Sequence, residues 1–584
     1  MNSSQQHRGR IQTHQRTTDD TVPIIGGSTE LTNQQKAQIA ETEGFHWKKL
    51  TKCDYRNRID TICRYLKDND PEYFGAGVRK VTDEDRKDPT LYFTNRVKYD
   101  LVYTGFNVTK LKLYLSSIKW MTKKGKDDSP DRTVLASEST MRKYKDAVIM
   151  GSTLREEPLP SSFFDGMKHF MDSYAKELAE GKSKGKVDEN DSDAIPLALF
   201  AKICQWTLEA SNIFTWAWTI WQWNLMCRPI SVDPLAFHQF QMGVDSVRVK
   251  FDRTKKDQEG AKTSWKNIFD NTNNPAVSAF LSMGCYLALM DAKFVVGDNI
   301  FLNKKATDGS ASHRYCTQLM KIVRKPELEN EVKEYMRYDR LSVYGFRKGS
   351  AVSCTSDATD GPSIVSVLNR GEWSGGKVFD TYFQWANAGD EYCGRCVRGV
   401  SPNDDDFSML PPHWNVEGSA MSNEHINKAM RMCFGNVLKE HSSSMQGPLL
   451  LFLASMVYHS TWCQGHRILS QIPLFTEKLL LADLKKIVTL DKSPSMPGPT
   501  GIPAFVRNNE LAKRNFSGIQ EIIEMLKTLL PDVAKAIESS IEKRQVESGV
   551  MTIKVLEDRL FELKNDTVKE LKIAFNTSLG IRQK

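Results

Sequence analysis

A chain of 584 residues with 40% hydrophobic and 26% charged side chains has the composition of folded globular domains, which excludes collagen-like, wholly disordered and multi-span membrane classes. At roughly 100–200 residues per domain it accommodates about three folded units. Lys and Arg number 80 against 72 Asp and Glu, a net charge of +8, so a polyanionic partner has to be argued from where the charges sit.

Residues 1–44 are rich in Gln, Thr, Ser and Gly, hold few large apolar groups and lack the apolar run of a signal peptide; a disordered tail is expected. The eleven cysteines are scattered, as in chains with reduced thiols. From 45 to 180 the apolar residues take helical spacing, with Tyr55, Ile59, Ile62 and Leu66 and later Leu111, Leu113, Leu115 and Ile118. Ser139, ahead of Arg142 and Lys143, has the chemistry of a helix start. Residues 181–193 are small and charged without apolar period, which predicts a linker.

A second domain is expected over 194–415. Its tryptophan-rich run at 213–227 falls short of the roughly 20 apolar residues of a membrane span and reads as a buried helix stopped by Pro229. Val247, Val249 and Phe251 alternate with Arg248 and Lys250, the pattern of a half-buried strand, and Lys255, Lys256, Asp257, Gln258 and Gly260 follow as a turn. A helical extension over 416–492 includes another apolar run at 447–458, and a loop rich in Pro and Gly covers 493–504. Within 505–584, Ile523, Leu526, Leu530, Val533 and Ile537, then Ile553, Leu556, Leu560 and Leu563, recur every three or four residues. This is the seam of a coiled coil or an amphipathic hairpin, with Pro531 and Gly549 dividing it into two helices. The fold class is mainly α with a small antiparallel sheet.

Signatures of other chemistries are missing: the sequence holds no phosphate-cradling P-loop and no His-Glu-x-x-His, so neither a nucleotide nor a metal cofactor is expected. Cys393-Gly-Arg-Cys396 is a lone pair of thiols with His413 downstream, and ordinary buried thiols outweigh zinc as its reading. Asp404, Asp405 and Asp406 could serve a metal-dependent nuclease or transposase, but such a run is more often a solvated loop.

The informative stretches are Leu225-Met-Cys-Arg-Pro229, Lys255-Lys256-Asp257-Gln258, Tyr344-Gly-Phe-Arg347 and Trp373 followed nine residues later by Tyr382. Taken singly they are bland: a helix cap, a hairpin tip, a core indole, a buried phenol. In this order they resemble the tyrosine recombinase (phage-integrase-like) family, closest to the Crypton-type branch of eukaryotic mobile elements. That family carries an arginine, a hairpin lysine, His/Lys/Tyr-x-x-Arg, His or Trp, then a nucleophilic tyrosine. The order is met by Arg228, Lys255 (with Lys256 in reserve), Tyr344, Arg347, Trp373 and Tyr382.

The resemblance implies a helical core-binding domain over 45–180 and a catalytic domain over 194–415 clamping double-stranded DNA, with no counterpart for the rest of the chain. It implies metal-free, ATP-free cleavage in the nucleus by a homo-oligomer, four protomers acting on paired sites. Tyr382 would attack the phosphodiester, Arg228 and Arg347 would hold the non-bridging oxygens, and Lys255 would protonate the leaving 5′-oxygen. Arg56, Arg58, Lys119, Lys123, Lys124, Lys126, Arg142, Lys143 and Lys256 are candidate phosphate contacts, each with a solvated surface charge as its bland alternative.

Two positions depart from the family pattern. Tyr344 replaces the usual histidine, and Ser231 occupies a position, three after Arg228, that is acidic in many relatives. These leave a second reading in play, a DNA-binding protein with the recombinase fold and without turnover. A type IB topoisomerase shares several of the same groups.

Overall fold

The computed structural model describes residues 49–88, 90–123, 132–187, 192–254, 260, 263–291, 299–301, 310–355, 360–373, 387–415, 420–490, 498–547 and 561. The chain divides into two units, residues 1–190 and 191–584. Both are mainly helical, with short antiparallel strands.

In the first unit, helix α1 (Lys49–Asn69) turns Ile59, Ile62 and Leu66 inward, as their three- and four-residue spacing requires. Strands β1 (Val78–Lys80) and β2 (Tyr99–Leu101) pair antiparallel. Helix α2 (Val108–Ser117) leads into the hairpin of β3 (Trp120–Lys123) and β4 (Arg132–Leu135). Helices α3 (Glu138–Leu154) and α4 (Ser161–Ser183) complete a core of Leu111, Leu115, Met141, Val148, Phe163, Met167 and Tyr174. The α3 N-cap is Ser137, whose hydroxyl accepts from the Thr140 N–H, so the helix starts two residues ahead of the expected Ser139.

The expected linker at 181–193 begins inside this unit. Helix α4 continues to Ser183, and the Leu135 N–H donates to the Lys186 carbonyl at 2.9 Å, so residues 181–186 pack as structure despite their charge. A buried carboxylate organises the interior: Asp100 accepts from Arg56 at 3.1 Å, Arg155 at 2.9 Å and the Tyr103 hydroxyl at 2.7 Å.

The second unit is built on helices α5 (Leu197–Glu209) and α6 (Ile213–Asn224). Trp216, Trp218, Trp221 and Trp223 on α6 are all fully buried. At about 150–250 Å² per ring, each contributes roughly 4–6 kcal/mol of gross burial before entropy is charged against it. The indoles of Trp216, Trp221 and Trp223 donate to the carbonyls of Ala276, Ala279 and Val397 at 2.7–3.0 Å. Strands β5 (Phe240–Met242), β6 (Val247–Val249) and β7 (Lys266–Ile268) form an antiparallel sheet in that order, pairing Phe240 with Val249 and Val249 with Lys266. Val247, Val249 and Phe251 are buried and Arg248 and Lys250 half-buried, following the alternation in the sequence.

Helices α7 (Ala279–Met290), α8 (Ala311–Val323), α9 (Gly345–Thr355), α10 (Ile364–Arg370) and α11 (Asn387–Val397) follow. A Cβ at Gly349 would stand 2.0 Å from the Ile195 carbonyl and 2.9 Å from the Trp223 ring, so glycine lets α9 approach α6. Strand β8 (His413–Trp414) pairs with β9 (Val488–Thr489), which follows helices α12 (Ala420–Tyr458) and α13 (Lys478–Ile487).

The described residues 420–490 contribute to the core of the second unit. Leu449, Phe452, Leu453 and Met456 of α12 join the same core as α6 and α7, with Phe452 5.7 Å from the Phe280 ring and 6.2 Å from Trp221. Beyond them Thr500 donates its N–H and hydroxyl to the buried Asp245 carboxylate at 3.0 and 2.6 Å, and its carbonyl accepts from Arg395, which also pairs with Asp245.

Helix α14 (Ala504–Glu547), the last described element, passes through Pro531 without ending there, against the expectation that Pro531 interrupts the helix. A proline removes one backbone hydrogen bond at a cost of about 3 kcal/mol, which a helix of 44 residues sustains from its remaining bonds. Gly549 and the seam residues Ile553, Leu556, Leu560 and Leu563 lie outside the described residues. No described helix is long and apolar enough to cross a membrane.

Candidate active site

Helix α6 ends at Asn224, Met226 turns the backbone with φ +50°, and Pro229 opens the short helix Pro229–Val232. Proline is preorganised for that first helical position. This places Arg228, half-buried, at the mouth of the turn as the residue capping the short helix through its backbone alone. Its side chain has no ion-pair partner among the described residues.

Arg347 lies in the first turn of α9. Only 6% of it is exposed, its guanidinium lies 4.7 Å from the centre of the Trp373 ring, and Nη2 donates to the Gly371 carbonyl. Nη1 is buried with no hydrogen-bond partner among the described residues. Burial and then the like charge of Arg228 push the Arg347 guanidinium down to about 10, against the opposing pull of Cys227 and Glu372. Two cations near enough for their charges to act on one another, one with a buried unpartnered donor, are an arrangement that can accept an anion.

The neighbouring groups are dense in charge. Cys227 is pushed up to about 12 by burial, while Lys266, Arg347 and Arg228 pull it back. Lys266 on β7 is 2% exposed; its Nζ sits 2.8 Å from Glu372 and 4.7 Å from the Phe251 ring. Glu372 has φ +54°, in the left-handed region, directly before Trp373. A Cβ at Gly371 would lie 2.3 Å from the Trp373 ring, so the fold of this turn onto Arg347 requires glycine there.

Arg370 locks the same segment from the other side. It is fully buried, pairs with Asp390, and donates through Nη2 to the carbonyls of Asn224 at 2.8 Å and Asn267 at 2.9 Å. Residues 370–373 therefore tie together the end of α6, strand β7, α9 and α11.

Of the sequence-predicted site, the structure sets Arg347 against Trp373 and in the field of Arg228. Tyr344 stands just ahead of α9 and is 55% exposed. Lys255, Lys256 and Tyr382 lie outside the described residues; the two lysines belong to the connection between β6 and β7, and Tyr382 to the segment between Trp373 and α11. Lys266, Arg370, Glu372 and Asp390 were not singled out from the sequence. Arg370 and Glu372 flank Gly371 beside Trp373, which was a signal; Lys266 carried none.

The proposed DNA contacts fare unevenly. Arg56 is fully buried, bonded to Asp100 and to the Leu91 carbonyl, and has no route to a phosphate; its charge was needed inside to neutralise Asp100. Arg58 pairs with Asp54 and lies over the Tyr144 ring, Lys119 pairs with Glu177, and Arg142 with Glu138. Lys143 is exposed and carries no ion pair among the described residues. Lys123 ends strand β3; Lys124 and Lys126 lie outside the described residues.

Among the described residues no group of three His, Cys, Asp or Glu could hold a metal ion. Cys393 and Cys396 are buried on α11, and His413 bonds through Nδ1 to the Pro411 carbonyl at 2.9 Å. Asp404 accepts from the Ser401 N–H and Asp406 from Asn273, so these acids shape a turn. No protein-family model and no curated protein matches the chain.

Proposed function

We propose that the chain is a tyrosine recombinase of a mobile element, cleaving and rejoining double-stranded DNA in the nucleus through a 3′-phosphotyrosyl intermediate. The observation that carries this reading is Arg347, buried against Trp373 with its Nη1 unpartnered among the described residues and lying in the field of Arg228, for which the described residues offer no carboxylate partner. Two guanidiniums offer paired donors to the non-bridging oxygens of a phosphodiester, where negative charge grows in the transition state. The Tyr382 oxygen would form the bond to phosphorus as the bond to the 5′-oxygen breaks. Its phenolic proton leaves to a base or water, and Lys255 supplies a proton to the departing 5′-oxygen. Religation reverses these steps, the bond energy having been kept in the phosphotyrosyl ester.

The fold class agrees with a helical DNA-clamping domain over 45–180 followed by a catalytic domain, and strand exchange would engage a tetramer on paired sites. The exposure of Tyr344 favours a second reading, a DNA-binding protein of the same architecture without turnover, because no described contact brings that phenol to the arginines. A suicide DNA substrate separates the two. A recombinase leaves a denaturant-stable protein–DNA adduct that Tyr382→Phe abolishes while duplex binding persists; a non-catalytic binder shifts DNA mobility and leaves no adduct.

A further inference from the structure

We infer that the Lys266–Glu372 ion pair is a positioning device for the anion site: it holds the left-handed turn at Glu372, and through that turn sets Gly371 and Trp373 against Arg347. The inference deepens the recombinase reading and rests on its anion site, though not on its covalent step.

Three observations converge. Glu372 adopts a backbone conformation that L residues other than Asn, Asp and Gly seldom take, so something must hold it. Its carboxylate is fixed by an ammonium group that is almost wholly buried on β7, 106 residues away in sequence. The residues on either side of Glu372 are the two that grip Arg347: the Gly371 carbonyl takes its Nη2, and the Trp373 ring lies along its guanidinium. Moving the turn therefore moves both contacts at once, and with them the orphaned Nη1. The backbone bonds of the turn reinforce this, Glu372 N–H donating to the Asn369 carbonyl at 3.0 Å and Trp373 N–H to the Leu368 carbonyl at 2.9 Å.

Glu372 distinguishes positioning from simple electrostatics because the two predict opposite signs. Glu372 lends negative charge to the surroundings of Arg347. If charge alone mattered, removing it would make an anion bind tighter. If the turn matters, removing it releases Arg347 and the anion binds more weakly, even though the site has become more positive.

The test is titration of the full-length chain with inorganic phosphate, with Arg347→Ala to confirm that the site is the one read. Glu372→Gln is the informative variant, since glutamine keeps the length of the side chain, loses the charge and has no preference for the left-handed conformation that could hold the turn in its place. It is expected to weaken phosphate by roughly tenfold, the scale of one charge-assisted hydrogen bond. Unchanged or tighter binding overturns the proposal, as does a wild-type chain that takes no phosphate at this site. Should the bare Lys266 unfold the single variant, Lys266→Met/Glu372→Gln decides: it removes both charges together, so weaker phosphate supports positioning and unchanged phosphate sinks it. A suicide DNA substrate run alongside separates the two levels. An adduct whose rate ignores Glu372 removes the positioning role alone; phosphate binding that depends on Glu372 in a chain that forms no adduct removes the recombinase reading alone.

Discussion

Arg370 and Asp390 form an ion pair in which neither side chain retains any exposed surface. Both Asp390 oxygens are in use, Oδ1 by Arg370 and Oδ2 by the backbone and side-chain nitrogens of Asn267. A buried charge with a single partner becomes costly when that partner is lost. Arg370→Met is expected to destabilise the second unit by about 3–5 kcal/mol, seen as a lower denaturant midpoint, whereas Arg370→Met/Asp390→Leu should recover part of the loss. Equal midpoints for wild type and the single variant would show that the pair does not hold this region.

The arginine that faces the proposed phosphate behaves differently. Arg347→Ala should reduce covalent trapping of a suicide substrate by about 10²–10³-fold, the usual loss when one transition-state donor is removed. Arg347→Lys keeps the charge but forfeits the planar stacking on Trp373 and the paired donors, so it should restore little of the rate. Gel-shift affinity for the uncleaved duplex measures the ground state, and a parallel collapse of affinity would mean that Arg347 serves binding.

Stability should fall on mild acidification because of His459. Burial lowers the affinity of its imidazole for a proton, against the pull of Asp270. An unfolded histidine takes up a proton near pH 6.5, and the folded one resists it. The stability contributed by a neutral His459 is therefore complete above about pH 6.5 and is lost as the pH falls from there toward the lowered folded value. Urea unfolding at pH 7.5 and 5.5 should show the difference, and His459→Gln should flatten it.

Within the first unit, Lys143 and Arg56 make a contrasting pair. Lys143→Ala should leave the melting temperature in place and, if this face meets DNA, reduce the slope of log affinity against log salt by about 1. Arg56→Met should act on folding, because Asp100 loses the fully buried one of its two guanidinium partners. A salt slope unaffected by Lys143→Ala would remove it from the DNA interface.

What could be read from the sequence was what depends on local period. The buried tryptophan helix, the alternating strand at Val247–Val249 and the mainly helical class follow from spacings of three to four and of two. The grouping of Arg228, Arg347 and Trp373 was legible only through their order along the chain. Burial of charge was not legible, because it depends on partners far away in sequence. Arg56 meets Asp100 over a separation of 44 residues, and Lys266 meets Glu372 over 106. Nor does local spacing reveal that α12 completes a core begun at α6, since an amphipathic or apolar helix reads the same whichever surface it covers. Pro531 misled for the opposite reason, a strong local rule overruled by the length of the helix containing it.

The bond set of Thr500 defines where the second unit can be cut. Asp245, beside the sheet, finds its neutralising partner in Arg395 and its remaining donors in Thr500, and the next turn buries Ile502 and Val506. A fragment stopped at residue 415, where the resemblance to known recombinases ends, would strip this carboxylate of its Thr500 donors and bare the α6–α7 surface beneath α12. The shortest form of the unit able to stand alone should extend past Val506, and limited proteolysis should leave a resistant product that ends within α14.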